Sequence, residues 1–337
     1  MQRFGLLSLV ILLLSANSYT SGYAAAGEFE TLLAGVPNTP TTRIQIWYGS
    51  QKTLKDSLGL TIRSAADLSK LSVSQQAAFI KAFDGTLYAS DFLGIDETDQ
   101  RAAFGIDSYQ VERELTVGRS PAWYNLMEGG VQPVTVAGAL TRFGYKSQAA
   151  APGTLYTTPG PNAPAIAATL YKASYLTSSQ VFFANSPELL TPLPGVANKT
   201  VPVITADPKA LVVIQAIEPD GTPLITAHLA EQSGLFYGLS YTRDRNGAQR
   251  WIVARGYASQ AEATAAANTL PATITNYRSV GKSYEGRQLF RGWTVKASVA
   301  TLNNQAFAVV AVLTPLANAD LGLVPLIKER DLGFLGL

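Results

Sequence analysis

The chain has 337 residues, 47% of them hydrophobic and only 15% charged, with a formal net charge of +2. So small and dispersed a charge gives no electrostatic footprint for nucleic acid. The absence of cysteine excludes disulfides, thiolate metal sites and thiol catalysis, so the core alone holds the fold, and the length suffices for one large domain or two ordinary ones.

Taken in chain order, the first element is an export signal over residues 1–26. Arg3 supplies the positive start, "FGLLSLVILLL" the apolar stretch, and Ala24-Ala25-Ala26 the small residues of a cleavage site, with Gly22-Tyr23-Ala24 as the alternative. The stretch is short for a bilayer span, so membrane contact is expected at most through this segment left uncleaved. "RIQIWYG" alternates as a strand does. "SVSQQAAFIKAF" (72–83) reads as a helix begun by a Ser N-cap, with Ala77, Ala78, Ile80 and Phe83 facing the core. "DETDQRAAFG" (96–105) reads as a helix with an acidic first turn that ends at Gly105.

From residue 110 the period changes to that of strands. "QVERELTVG" places Val111, Leu115 and Val117 on one face and Glu112 and Glu114 on the other, with Arg113 oddly among the apolar residues. "AWYNLMEGG" is a second strand, "QPVTVAGALTRFGY" a helix ending near Gly144, and strands are expected at 154–158, 167–173 and 180–184, then a short helix from Ser186-Pro187. In the second half, "ALVVIQAI" (210–217) and "PLITAHLA" read as strands around an Asp220-Gly221 turn. Asn246-Gly247 marks a hairpin. Ser259 and Glu262 form a capping box for a helix that Pro271 kinks or splits. A last hairpin turns at Asn303-Asn304. "YNLMEGGVQPVTVAGAL" and "WIVARGYASQAEATAAA" share the pattern strand, glycine, polar helix start, small-residue helix.

These elements predict an α+β protein of two α/β-sandwich modules, with antiparallel sheets and helices on one face. Ferredoxin-like topology and internal duplication are the finer expectations. The modules are placed at 27–200 and 201–337, with the break near Pro194, Gly195, Pro202 and Pro208.

Motifs of chemistry fail in their contexts. Gly281-Lys282-Ser283 matches the end of a phosphate-binding loop, but Asn276 stands where its first glycine belongs and Gly286 breaks the helix that should follow. Ser279-x-x-Lys282 lacks the companion motifs of the penicillin-recognising enzymes. His228, the one histidine, lies in a strand with no nucleophile elbow in the chain, and reads as a hydrogen-bonded structural residue. Asp96, Glu97 and Asp99 read as a solvated first turn without calcium-loop spacing, and Glu112 and Glu114 as a solvent-facing pair. Trp47-Tyr48 and Trp123-Tyr124 are candidate surface aromatics set against core packing. No catalytic residue, metal ligand, cofactor or nucleotide site is expected. The tail residues Leu332, Phe334, Leu335 and Leu337 are either tucked into the core or offered to a partner, and are the candidate interaction residues.

"GVPNTP", "FGIDSYQVERELTVGRSPAWYNLMEGGV", "ALTRFGY" and "RDLGFL" together resemble an uncharacterised family of exported bacterial proteins. The resemblance implies export and an α+β fold, and carries over no site residue. The expected function is that of an exported, non-enzymatic protein of the cell envelope acting on an envelope or surface partner. The alternative is an extracytoplasmic carbohydrate- or small-ligand-binding protein using a cleft between the modules.

Overall fold

A computed structural model describes residues 26–84, 97–315, 326, 329 and 331–335. Its strands are β1 (Ile46–Ser50), β2 (Arg113–Arg119), β3 (Ala122–Glu128), β4 (Lys146–Ala150), β5 (Gly153–Thr157), β6 (Ala173–Leu176), β7 (Gln180–Ala184), β8 (Thr226–Gln232), β9 (Leu235–Arg243), β10 (Gln249–Tyr257), β11 (Thr294–Leu302) and β12 (Ala306–Thr314). They join in one 12-stranded sheet in the order β11-β12-β10-β9-β8-β1-β2-β3-β7-β6-β5-β4. Every pairing is antiparallel.

The mixed α+β class with antiparallel strands is as expected, but two separate sheets are not. β1, from the first half of the chain, bonds β8 of the second, with Trp47 opposite His228 and Ile46 opposite Leu229. From that central pair the chain follows a similar course on both sides: three strands, a helix, then strands that return to pair with the third. A ferredoxin-like fold would instead alternate β-α-β-β-α-β.

The helices lie on both faces of the sheet, not one. Successive strand residues point to opposite faces, and the central strands are buried on both: all five residues of β1, and the middle five of β2 and of β3. A sheet whose odd and even positions are both buried needs a layer on each side. Face one carries Ile46, Tyr48, Leu115, Val117, Tyr124 and Leu126. It is covered by α1 (Glu28–Leu33), by α9 (Leu193–Ala197) and by α10 (Pro208–Ile217) in one apolar layer that crosses both halves. The segment of α10 reads as a strand in sequence because its apolar run is unbroken. Its helix is fixed by Pro208 at the first turn and by the Asp207 carboxylate, which accepts the Lys209 amide at 2.9 Å.

Face two is divided. Over the first half, α6 (Glu97–Phe104), α7 (Pro133–Arg142) and α8 (Ala165–Thr169) bury Phe104, Trp123, Leu140, Tyr171 and Phe183. α8 occupies part of the span expected as a strand over 167–173. Over the second half, α11 (Gln260–Asn276) runs through Pro271 as one helix, and Phe290, Trp293, Leu332, Phe334 and Leu335 pack with Trp251 and Leu313. Two short helices flank β1, α2 (Pro40–Ile44) and α3 (Gln51–Leu58), and α4 (Ala65–Ser69) and α5 (Val73–Asp84) follow. In α5 the buried anchor is Phe79, while Ala77, Ala78 and Ile80 are exposed, one position off the expected stripe.

Candidate functional site

Most of the residues singled out in the sequence have a definite place. Leu332, Phe334 and Leu335 are buried in the second-half core of face two, and the Leu335 carbonyl accepts from Arg255 Nη1 at 3.0 Å. Leu337 lies outside the described residues, as does Asp96. Among the described residues no three His, Asp or Glu side chains gather as a metal site. Trp47 and Tyr48, and likewise Trp123 and Tyr124, are neighbours on a strand and so point to opposite faces, where all four are buried. They offer no surface pair. Glu114 is also buried, against the expectation of solvent, and accepts from Asn125 Nδ2 at 2.7 Å. Arg113 is explained by two acids, Glu128 at 3.1 Å and Glu28 at 3.4 Å.

The loop that resembles a phosphate site is filled by the chain's own acids. The Asp331 carboxylate accepts from the Tyr277 and Ser279 hydroxyls and, at 3.1 Å, from the Val280 amide. Burial opposes its charge, but these donors hold its carboxyl below the ordinary range. Glu329 accepts from the Ser283 hydroxyl and from its amide at 2.9 Å. The loop is thus a receptor for carboxylates, and they belong to the tail whose apolar residues lie beside it.

At the centre of face two, one register row runs Leu239, His228, Trp47, Thr116, Asn125, Phe183. Its middle is a polar seam between two apolar cores. Asn125 Nδ2 reaches Thr116 Oγ1 at 3.4 Å as well as Glu114, and Asn125 Oδ1 is buried without a partner among the described residues. The His228 ring lies 4.6 Å from that of Trp47 and 5.6 Å from that of Tyr237. It lies on a strand as expected and is buried, but among the described residues its Nδ1 has no hydrogen-bond partner, against the expected hydrogen-bonded histidine, and desolvation pushes its pKa down to about 3, leaving the imidazole neutral.

A cleft of 630 Å³ opens on face one. Its floor is Tyr175 and Phe182 of β6 and β7, with Thr177 and Gln180 at the strand ends. Its wall is α9 and the segment after it, through Leu193, Val196, Lys199 and Val203. This wall is pinned at both ends. Asn38 donates its amide to the Pro202 carbonyl at 2.8 Å, Ile204 donates to Val36 at 3.0 Å, and Asn198 Nδ2 reaches the Ala151 carbonyl at 3.4 Å. Lys199 turns the chain at φ 59, and its ammonium has no carboxylate partner among the described residues. The lining is mainly apolar, with a few polar groups at its margin. A more polar hollow of 560 Å³ lies between the end of α3 and the β9–β10 turn, with Arg243 and Arg245 on its wall.

The cleft was legible only as punctuation. The prolines and glycine near residue 200 mark the segment that became its wall, but nothing local ties that segment to residues 34–35 and 175–182. No protein-family model matches the chain, and neither a curated protein nor a solved structure matches it.

Proposed function

We propose that this chain is an exported, non-enzymatic protein of the cell envelope that works by binding a small amphipathic ligand in the face-one cleft. The observation that carries this reading is a largely apolar cleft bordered by Lys199, which has no carboxylate partner among the described residues. The cleft differs from the expected one between two modules: its floor lies within the first half, and only Val201, Pro202, Val203 and Ala206 of its lining come from beyond residue 200. Its lining argues for an apolar body with an acidic group over a carbohydrate, which needs many polar partners. The three described tail residues are buried, which takes support from a partner surface at the tail. A protein-partner reading rests instead on β11, whose nine residues form an outer edge of the sheet and can accept an added strand.

The test is displacement of a fluorescent long-chain fatty acid from the purified chain, beside a panel of sugars. Binding of the acid that is lost in Val196→Trp, with unchanged thermal unfolding, is the expected result. A sugar that binds while the acid does not, or probe binding that survives the filled cleft, would overturn it.

The two halves are proposed as a duplication. The support is the shared order of strands and helix outward from the antiparallel β1–β8 pair, with α7 and α11 on the same face. A fragment spanning 201–337 should then self-associate through β8, the strand that lost β1. Sedimentation showing a folded monomer would count against it.

A further inference from the structure

Glu218 closes α10 on face one and is 5% exposed. Its carboxylate accepts the amides of Phe29 and Glu30, each at 2.9 Å, so it caps α1 from a distant part of the chain. No cationic side chain pairs with it among the described residues. The groups around it are mostly of its own sign. Glu28 and Glu30 flank it on α1, and the Tyr48 hydroxyl donates to Glu28 at 3.4 Å. Arg113 is shared between Glu28 and Glu128, and Lys52 is engaged with Asp56 at 3.0 Å. A buried carboxylate without a counter-ion is costly, and Glu218 is held with its pKa up to about 7 by burial, against the pull of the two amides.

The residue lying against this carboxylate is Gly27. A Cβ at that position would overlap the Glu218 carboxyl group, so a larger residue there would displace that side chain. The Gly27 nitrogen and that Cβ position are both one bond from the same Cα, so the nitrogen is also close to the carboxylate. Ala26 is exposed and Gly27 is buried.

We propose that hydrolysis of the Ala26–Gly27 peptide bond supplies the missing cation, the new α-ammonium of Gly27 pairing with Glu218 to lock α1 onto face one. The step consumes one water. Ala26 leaves with the new carboxylate, and the freed Gly27 amine, with an ordinary pKa near 8, takes up a proton. A peptidase that removes export signals is the catalyst, so the inference rests on the export reading. It also selects Ala26 over Ala24 as the last residue removed. Cleavage after Ala24 leaves Ala25 and Ala26 attached, and the ammonium is then carried away from the carboxylate.

The experiment has two parts. First, the full chain is expressed with its leader in an exporting bacterial host, and the intact mass of the product is measured. A product beginning at Gly27 is expected. A product that keeps residues 1–26 defeats the export reading and the proposal together, and one beginning at Ala25 defeats the proposal alone. Second, chains beginning at Gly27 and at Ala26 are released from a cleavable fusion, each with Glu218 and with Glu218→Gln, and their unfolding by urea is compared. The Gly27 start should raise the folding constant roughly tenfold or more over the Ala26 start, as expected for completing a buried ion pair. The difference should vanish in Glu218→Gln. Equal stability of the two starts, or a difference that persists in Glu218→Gln, would overturn the proposal and leave the export reading standing.

Discussion

The two faces of the sheet each hide a titratable group, and the two respond to acid in opposite directions. Face one is a continuous apolar layer crossing both halves, with Glu218 at its edge. Face two is two apolar cores separated by a polar seam, with His228 in it. Both groups are desolvated. Burial favours the neutral form of each, which for a carboxyl means holding a proton and for an imidazole means losing one. The contrast shows that a shared sheet does not impose a shared electrostatic response.

The largest effect expected is at His228. Its pKa falls from 6.5 to about 3 on folding, so the unfolded chain binds more protons between those values. Stability is therefore lost as pH drops through that window, by on the order of 5 kcal/mol if the chain stays folded throughout. His228→Phe keeps the ring beside Trp47 and should flatten this limb in urea titrations run across acid pH. A slope unchanged in the variant would remove His228 from the comparison.

Phe334→Ala tests the face-two core from its tail side. The ring is fully buried and lies tilted against Phe290 with ring centroids 5.0 Å apart, and its loss should cost about 3–5 kcal/mol, read as a lower urea midpoint. A cost under about 1 kcal/mol would mean that the tail is not part of the core.

Glu218 supplies the opposing limb. Its folded pKa is raised from 4.5 to about 7 with Ala26 attached, so the folded chain holds the extra proton and stability falls as pH rises across that window. The change is on the order of 3 kcal/mol. Glu218→Gln should abolish it. Between pH 4.5 and 6.5 the two slopes oppose, so the parent chain should be flatter there than either single variant.

The smallest effect sharpens the face-two half. The Ser259 hydroxyl accepts the Glu262 amide at 3.2 Å at the start of α11, and Ser259→Ala should cost about 1 kcal/mol, seen as a small shift in thermal midpoint.

Local chemistry was readable where it is self-contained. Asn303 and Asn304 both adopt left-handed backbone at the β11–β12 turn, and Gly247 does so at the β9–β10 turn, as their sequences indicated. Ser259 caps the helix it was expected to cap. The span 210–217 misled because an unbroken apolar run fits a buried helix as well as a strand, and Asp207-Pro208 was the signal that decides it. The single sheet was not readable, because the β1–β8 register depends on residues from Ile46 to Leu229 that have no local reason to meet. Glu218 left one trace, an acid placed directly after the apolar run ending at Ile217. The cleft left less, since its floor and wall come from distant segments.

The central β1–β8 pair has a kinetic consequence. The strand in the middle of the sheet is among the first the chain produces, and one of its two neighbours is not made until Thr226. Until then one edge of β1 is an open template, able to pair with any extended segment nearby. Closing so long a loop is slow compared with forming hairpins, so folding should be limited by this one long-range event. A chain interrupted before β8 would be arrested with its most buried strand exposed, the state in which it most needs a chaperone.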